Sequence, residues 1–402
     1  MPGVLPDGEP VPADGSLPEP AIDAAGDKFG VYVHVPFCAS RCGYCDFNTY
    51  APGEGVVRDG YVDAVLAELA LAERVLSDRP RPVETVFVGG GTPTLLDPGD
   101  LIRILEGIDK TWGLAPDAEV TTEANPESVG PVTLRALRTH GFTRISLGMQ
   151  SVAPHVLAVL DRRHTPGRAV VAASEARAAG FEHVNLDLIY GTPGETADDF
   201  AASLDAAIEA GVDHVSAYSL IVEDGTRLAA RMRRGELPYP DDDVAADRYI
   251  AAEAALSAAG YDWYEVSNWS LGPEARCRHN LLYWTGGDWW GLGPGAHSHI
   301  GGVRWWNVKH PAAYAERLAD DRSPAYAREV LTPEEQHTED VMLRLRLSSG
   351  LPLSVLDPVG RAAAAQVLRD RLLDGEAYAD GRAVLTLGGR LLADAVVRAL
   401  LP

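Results

Sequence analysis

From about residue 29 to residue 221 the sequence alternates between short β-branched runs and longer amphipathic ones. No other feature constrains the fold as much. Strand-like runs stand at VYVHV (31–35), VETVFVG (83–89), AEVTTEA (118–124), TRISLGM (143–149), HVNLDLIYG (183–191) and HVSAYSL (214–220). Helix-like runs lie between them at 61–76, 101–112, 128–139, 168–179 and 196–210. The first of these carries Val62, Val65, Leu66 and Leu69 at helical spacing. Strand–helix units repeated roughly every 30 residues imply a parallel sheet with helices on its outside. Folds of that kind place their chemistry at the C-terminal ends of the strands.

The first strand run leads directly into cysteines. Residues 32–47 read YVHVPFCASRCGYCDF, with Cys38, Cys42 and Cys45 at C-x3-C-x2-C spacing behind Val31, Val33 and Val35. Three thiolates can hold three irons of a [4Fe–4S] cluster and leave the fourth iron open. Spacing alone also admits a zinc site, which wants four N or S ligands, or a disulfide, which leaves one thiol over.

The later strand runs end on candidate binding residues. GGGTPTLL (89–96) puts three glycines where the backbone can approach a ligand, although a tight turn uses the same residues. TTEANPE ends on Glu123, LGMQS offers Gln150, and Arg162 follows twelve residues later in LDRRH. Asp187 stands inside an otherwise apolar strand. A buried carboxylate is costly alone, so it binds something or pairs with Arg162.

Formal charge is −23, from 35 basic and 58 acidic residues. That disfavours a nucleic-acid partner, which needs basic surface. No apolar run approaches the roughly 18 residues of a membrane span, and no signal sequence opens the chain. Four cysteines, three of them clustered, suit a reducing compartment, and the expected location is cytoplasmic. Residues 1–28 are rich in proline, glycine, alanine and acids and read as a disordered, mobile tail.

Residues 223–240 read as a linker and 241–259 as a helix. ARCRHNLLYWTGGDWWGLGPGAHS (275–298) follows, within a region holding four of the eight tryptophans between Trp269 and Trp290. Such a cluster suits an aromatic interface. It equally suits a flat surface for a porphyrin, with His279 or Cys277 as axial ligand. The remainder reads as a small helical module with a short hairpin at 383–392.

YVHVPFC, the aromatic residue before the last clustered cysteine, and GGGTPT together resemble the radical S-adenosylmethionine (SAM) superfamily, in its oxygen-independent coproporphyrinogen III oxidase-like branch. HNLLYW (279–284) matches the HNxxYW motif of the HemW heme-chaperone group, and Phe47 stands where the oxidases carry a further cysteine. The resemblance runs from about Gly30 to the C-terminus. It implies an α/β fold: an incomplete (β/α)6 barrel over 29–240, a HemW-type extension over 241–330, and a smaller winged-helix-like C-terminal domain over 331–402.

It implies a [4Fe–4S] cluster on Cys38, Cys42 and Cys45, with SAM as exchangeable ligand of the open iron. It also implies SAM contacts from Tyr32, Tyr44, Gly90, Gly91, Thr92, Glu123, Gln150, Arg162, Asp187 and Ile221. In the oxidases the matching Gln, Arg and Asp hold a second SAM. Heme falls to His279. The implied chemistry is reductive cleavage of SAM to a 5′-deoxyadenosyl radical. The implied function is a heme chaperone that passes heme to acceptor proteins, respiratory ones at the membrane face among them. A reductant protein would serve the cluster, and a homodimer is compatible with the resemblance. The alternatives are coproporphyrinogen III dehydrogenation by oxidative decarboxylation and, further off, radical methyl transfer.

Overall fold

The computed structural model describes residues 7–56, 58–76 and 81–401. Six strands carry the alternation read from the sequence: β1 (Phe29–Val35), β2 (Val83–Gly90), β3 (Leu114–Ala124), β4 (Arg144–Gln150), β5 (His183–Tyr190) and β6 (His214–Ser219). Each pairs in parallel with the next. The helices between them run Tyr61–Val75, Pro98–Trp112, Pro131–Thr139, Arg168–Ala178 and Ala197–Glu209.

Alternation along each strand divides the two faces. Outward residues such as Val31, Val33, Val86, Val88, Val120, Ile145, Leu186 and Val215 join one apolar core with the helices, each contributing about 1.5–3 kcal/mol on full burial. The inward face carries Tyr32, Phe87, Glu119, Glu123, Arg144, Asp187 and His214. A barrel lumen this polar must be filled by hydrogen-bonded partners or by ligands.

Six further strands follow: β7 (Asp262–Glu265), β8 (Asn268–Ser270), β9 (Asp288–Leu292), β10 (His297–Ile300), β11 (Val303–Asn307) and β12 (Ala325–Val330). All join the same sheet, in the order β12-β11-β10-β9-β1-β2-β3-β4-β5-β6-β8-β7. The extension expected at 241–330 therefore lengthens the barrel sheet at both edges. β8 lies antiparallel to the start of β6, with Ser270 opposite His214. β9 runs parallel to β1, with Asp288 opposite Phe29. The chain between them, 271–287, crosses from one edge to the other at the N-terminal ends of the barrel strands. It carries the short helix Arg278–Trp284.

Three expectations need correction. Residues 7–28 are not a free tail: Glu9 bridges to Arg328 on β12, Ser323 donates to the Ala13 carbonyl, and Ala21 is buried in the core. Residues 1–6 of that expected tail lie outside the described residues. The linker at 223–240 contains a helix, Arg227–Arg233. Leu228 and Met232 bury against Val156, Leu160 and Ile189, a pattern masked in the sequence by its arginines. The hairpin at 383–392 is absent. Arg382–Ala383 instead pairs with Leu351–Pro352, and Leu387–Leu391 is helical, capped by Thr386.

The C-terminal unit has its own apolar core, including Val341, Leu345, Leu356, Ala364, Val396 and Leu400. Among the described residues no helix is long and apolar enough to cross a membrane.

Candidate cluster and cofactor site

The cluster loop leaves β1 and is pinned at several points. Cys38 N–H donates to the Tyr50 carbonyl, Gly43 N–H to Leu160 and Leu228 N–H to Gly43. The glycine turn after β2 docks beside it, with Gly91 N–H donating to Val35 and Thr92 N–H to Phe37. A Cβ on Gly91 would stand 2.6 Å from the Phe37 carbonyl oxygen, and one on Gly90, at φ +106°, 2.6 Å from the His34 ring. No side chain fits there, so these glycines are required by the close approach.

Cys38, Cys42 and Cys45 are unbridged and open on one cavity of about 550 Å³. Burial raises the Cys38 thiol and pushes Cys45 up to about 11. Among the described residues no three His, Cys, Asp or Glu side chains are grouped for a single metal ion. Three unbridged thiols on one cavity suit a cluster, where each thiolate takes a different iron. Bound irons would also supply the positive charge that buried thiolates lack.

Gly90, Gly91, Thr92, Glu123, Gln150, Arg162, Asp187, Tyr44 and Ile221 line the same cavity. Glu123 accepts a hydrogen bond from Gly90 N–H at 3.0 Å, and burial with the neighbouring Asp187 charge raises its carboxyl to about 8. Of the two alternatives for Asp187, pairing with Arg162 is not the one taken up. The Arg162 guanidinium donates to the Gly148 carbonyl at 3.0 Å and to Cys42 Sγ at 3.5 Å, and its buried Nε has no partner among the described residues. Asp187 instead accepts from Ser146 Oγ (2.8 Å) and Asn185 Nδ2 (2.7 Å), while burial holds its carboxyl above the usual range. A buried arginine nitrogen and two buried carboxyls give the cavity polar groups that a polar ligand would satisfy.

Residues 32–207 match the model of the radical SAM superfamily. The chain is 59% identical over 394 residues to the heme chaperone HemW of Mycobacterium tuberculosis, covering 98% of each chain. The chain belongs to the HemW family of radical SAM proteins. It is also 36% identical to HemW of Synechocystis over 84% of this chain and 82% of that one. In structure it resembles the coproporphyrinogen III oxidase HemN of Escherichia coli, a radical SAM enzyme, with a TM-score of 0.80 at 23% identity over 97% and 94% of the two chains. That likeness concerns the fold. Family membership implies a [4Fe–4S] cluster and SAM, and the unbridged thiols and the glycine cradle of this cavity fit both.

Two expected site residues stand apart. Tyr32 lies deeper in the lumen, stacked on Phe87, and its hydroxyl meets His34 Nδ1 at 3.0 Å. His279 lies at the opposite end of the barrel, 1% exposed. Nδ1 is 2.8 Å from Thr85 Oγ1 and Nε2 is 2.7 Å from the Tyr283 hydroxyl. One ring nitrogen donates and the other accepts, so neither is free for a metal. Burial lowers the imidazole to about 3, and leaving either partner buried and unsatisfied would cost about 1–3 kcal/mol. This placement does not support His279 as a heme ligand. Cys277, the other candidate, is buried beside Glu119.

Sequence reasoning missed Ser146, Asn125 and Tyr218, which also line the cavity. The signal for Ser146 was present: it stands an even step from Gly148 on β4 and so faces the same way.

Proposed function

We propose that this protein is a cytoplasmic heme chaperone, binding heme and passing it to acceptor proteins, with a [4Fe–4S] cluster on Cys38, Cys42 and Cys45 and SAM in the adjoining cavity. The observation that carries this is the near-full-length 59% identity to a curated heme chaperone. Phe47 supports it from the site: it stands at the cavity 60% exposed, in place of the further cysteine the oxidases carry. It offers an apolar face at the mouth and no extra thiol.

When bound, cluster and SAM supply one-electron chemistry. The chain's own residues bind and orient them. The Gly90–Thr92 turn brings the backbone close to the cavity, Glu123 and Asp187 hold acidic groups toward it, and Arg162 keeps a positive charge beside Cys42. A separate reductant protein would serve the cluster.

The test is an anaerobic heme titration of cluster-reconstituted protein followed by absorbance, then transfer to an apo-hemoprotein. Saturation near one heme per chain, with transfer, supports the reading. Unsaturable binding together with protoporphyrinogen formed from coproporphyrinogen, SAM and a reductant would replace it with the dehydrogenase.

A further inference from the structure

We infer that the HNLLYW segment is the floor of the SAM chamber, and that His279 is a positioning residue acting on Glu123 through Phe87, not a heme ligand. The inference rests on the reading that SAM binds beside Glu123.

The chain has to cross the barrel's N-terminal end to pass from the β6 edge to the β1 edge, and two buried charges clamp it there. Arg144 Nη2 donates to the carbonyls of Ala275 (2.8 Å) and Arg276 (3.1 Å). Glu119 takes the His279 backbone N–H at 3.1 Å and pairs with Arg144 at 3.0 Å. Tyr264 adds a third tie, its hydroxyl accepting from Cys277 N–H at 3.2 Å and meeting His214 Nε2 at 2.7 Å. The seat is tight: a Cβ on Gly30 would stand 2.5 Å from Leu282 Cδ2 and 2.7 Å from Thr85 Oγ1.

From this floor the contacts lead upward. The His279 ring stacks on Phe87 with centroids 5.3 Å apart at 25°, and Tyr283 abuts the imidazole at 4.7 Å. Phe87 and Glu123 flank the same glycine: a Cβ on Gly89 would stand 2.9 Å from Phe87 Cε1 and 2.9 Å from Glu123 Oε2. Phe87 thus stacks on the imidazole and shares its glycine neighbour with the carboxylate. A heme, by contrast, would need an unbonded ring nitrogen and room for a macrocycle where the helix now sits on Gly30.

The experiment compares SAM affinity, by equilibrium dialysis, and heme absorption in reconstituted wild type, His279→Ala, His279→Gln and Tyr283→Phe, after iron and sulfide content are matched. His279→Ala is expected to weaken SAM binding about tenfold, a loss near 1.4 kcal/mol. Heme stoichiometry and Soret position should stay unchanged. His279→Gln, with a donor and an acceptor toward Thr85 and Tyr283, should recover most of the SAM affinity. General destabilisation would not be rescued in that way. Should His279→Ala fail to fold, Tyr283→Phe, which deletes one hydroxyl, is expected to weaken SAM about threefold with an unmoved Soret band. A shifted or lost Soret band with SAM affinity intact, in either variant, overturns the inference. Wild type that holds iron and sulfide yet binds no SAM overturns the reading of the site and the floor's role with it. Wild-type SAM binding that His279→Ala leaves untouched overturns the floor alone.

Discussion

Glu123 Oε2 lies 3.0 Å from the backbone nitrogen of Gly90, which ties the end of β3 to the glycine turn after β2. That bond fixes a carboxyl among buried groups, and burial with the Asp187 charge lifts it to about 8 from an ordinary value near 4.5. The folded protein therefore holds a proton that the unfolded chain releases. Between pH 4.5 and 8 the native state binds more protons, so stability falls as pH rises through that window. Asp187, also raised, contributes with the same sign.

Glu123→Gln should remove part of that slope. Ligand-free protein carrying it is expected to melt higher than wild type at pH 8.5 and close to wild type at pH 5. On the proposed reading that SAM binds beside Glu123, its affinity should fall about tenfold or more, because an amide cannot ionise to pair with a cationic ligand. Thermal melts at the two pH values and a SAM titration check it. Equal melting at pH 8.5 would show that the carboxyl is ionised without strain.

Cys38→Ala, Cys42→Ala and Cys45→Ala should each lose the cluster, since two thiolates leave two irons without protein ligands. Anaerobic reconstitution followed by iron and sulfide analysis reads the outcome directly. Near-normal content in any one of them would refute the assignment.

The buried pair Glu119–Arg144 behaves oppositely to Glu123. Arg144 is 2% exposed and Glu119 5%. Burial acts to raise the Glu119 carboxyl, yet the Arg144 charge and backbone N–H donors bring it below its usual value. A depressed carboxyl contributes stability that is present above its unfolded pKa and lost as pH falls through the folded one. Arg144→Leu strands that carboxylate and two carbonyls, and is expected to cost about 3–5 kcal/mol. Urea unfolding at pH 7 measures it, and a cost below about 1 kcal/mol would deny the clamp.

The six strands and their helices were legible because each signal is local. Outward valines at every second position mark β1 and β2 without reference to the rest of the chain. The cluster cysteines and the glycine turn were legible for the same reason. The role of HNLLYW was not. Thr85 and His279 are 194 residues apart, and only the crossing from β8 to β9 brings them together. A histidine among tryptophans looks the same in sequence whether its nitrogens are free or satisfied. The sequence left Asp187 between a ligand and Arg162 for a related reason: both residues face one cavity, and only the fold shows Ser146 and Asn185 bonded to the carboxylate. The helix Arg227–Arg233 escaped notice because RLAARMR buries only Leu228, Ala229 and Met232, too few apolar residues to outweigh its charge.

Arg390 joins the C-terminal unit to the barrel. Its Nη1 donates to Glu253 at 2.8 Å and to the Tyr249 hydroxyl at 3.3 Å, both on the helix Asp242–Ala258. Its guanidinium stands 4.3 Å from the Trp263 ring centroid, while Glu253 also accepts from Trp269 Nε1. The arginine side chain is 6% exposed, so water does little to replace these partners. A desolvated cation–π contact and a charge-assisted bond together place the cost of Arg390→Ala at about 2–4 kcal/mol. Because the unit has a core of its own, the loss should fall on docking rather than on either core. Urea unfolding is then expected to split into two transitions, with faster proteolysis around residue 331, while SAM affinity stays as in wild type. A single unchanged transition would mean that the remaining contacts suffice to hold the unit in place.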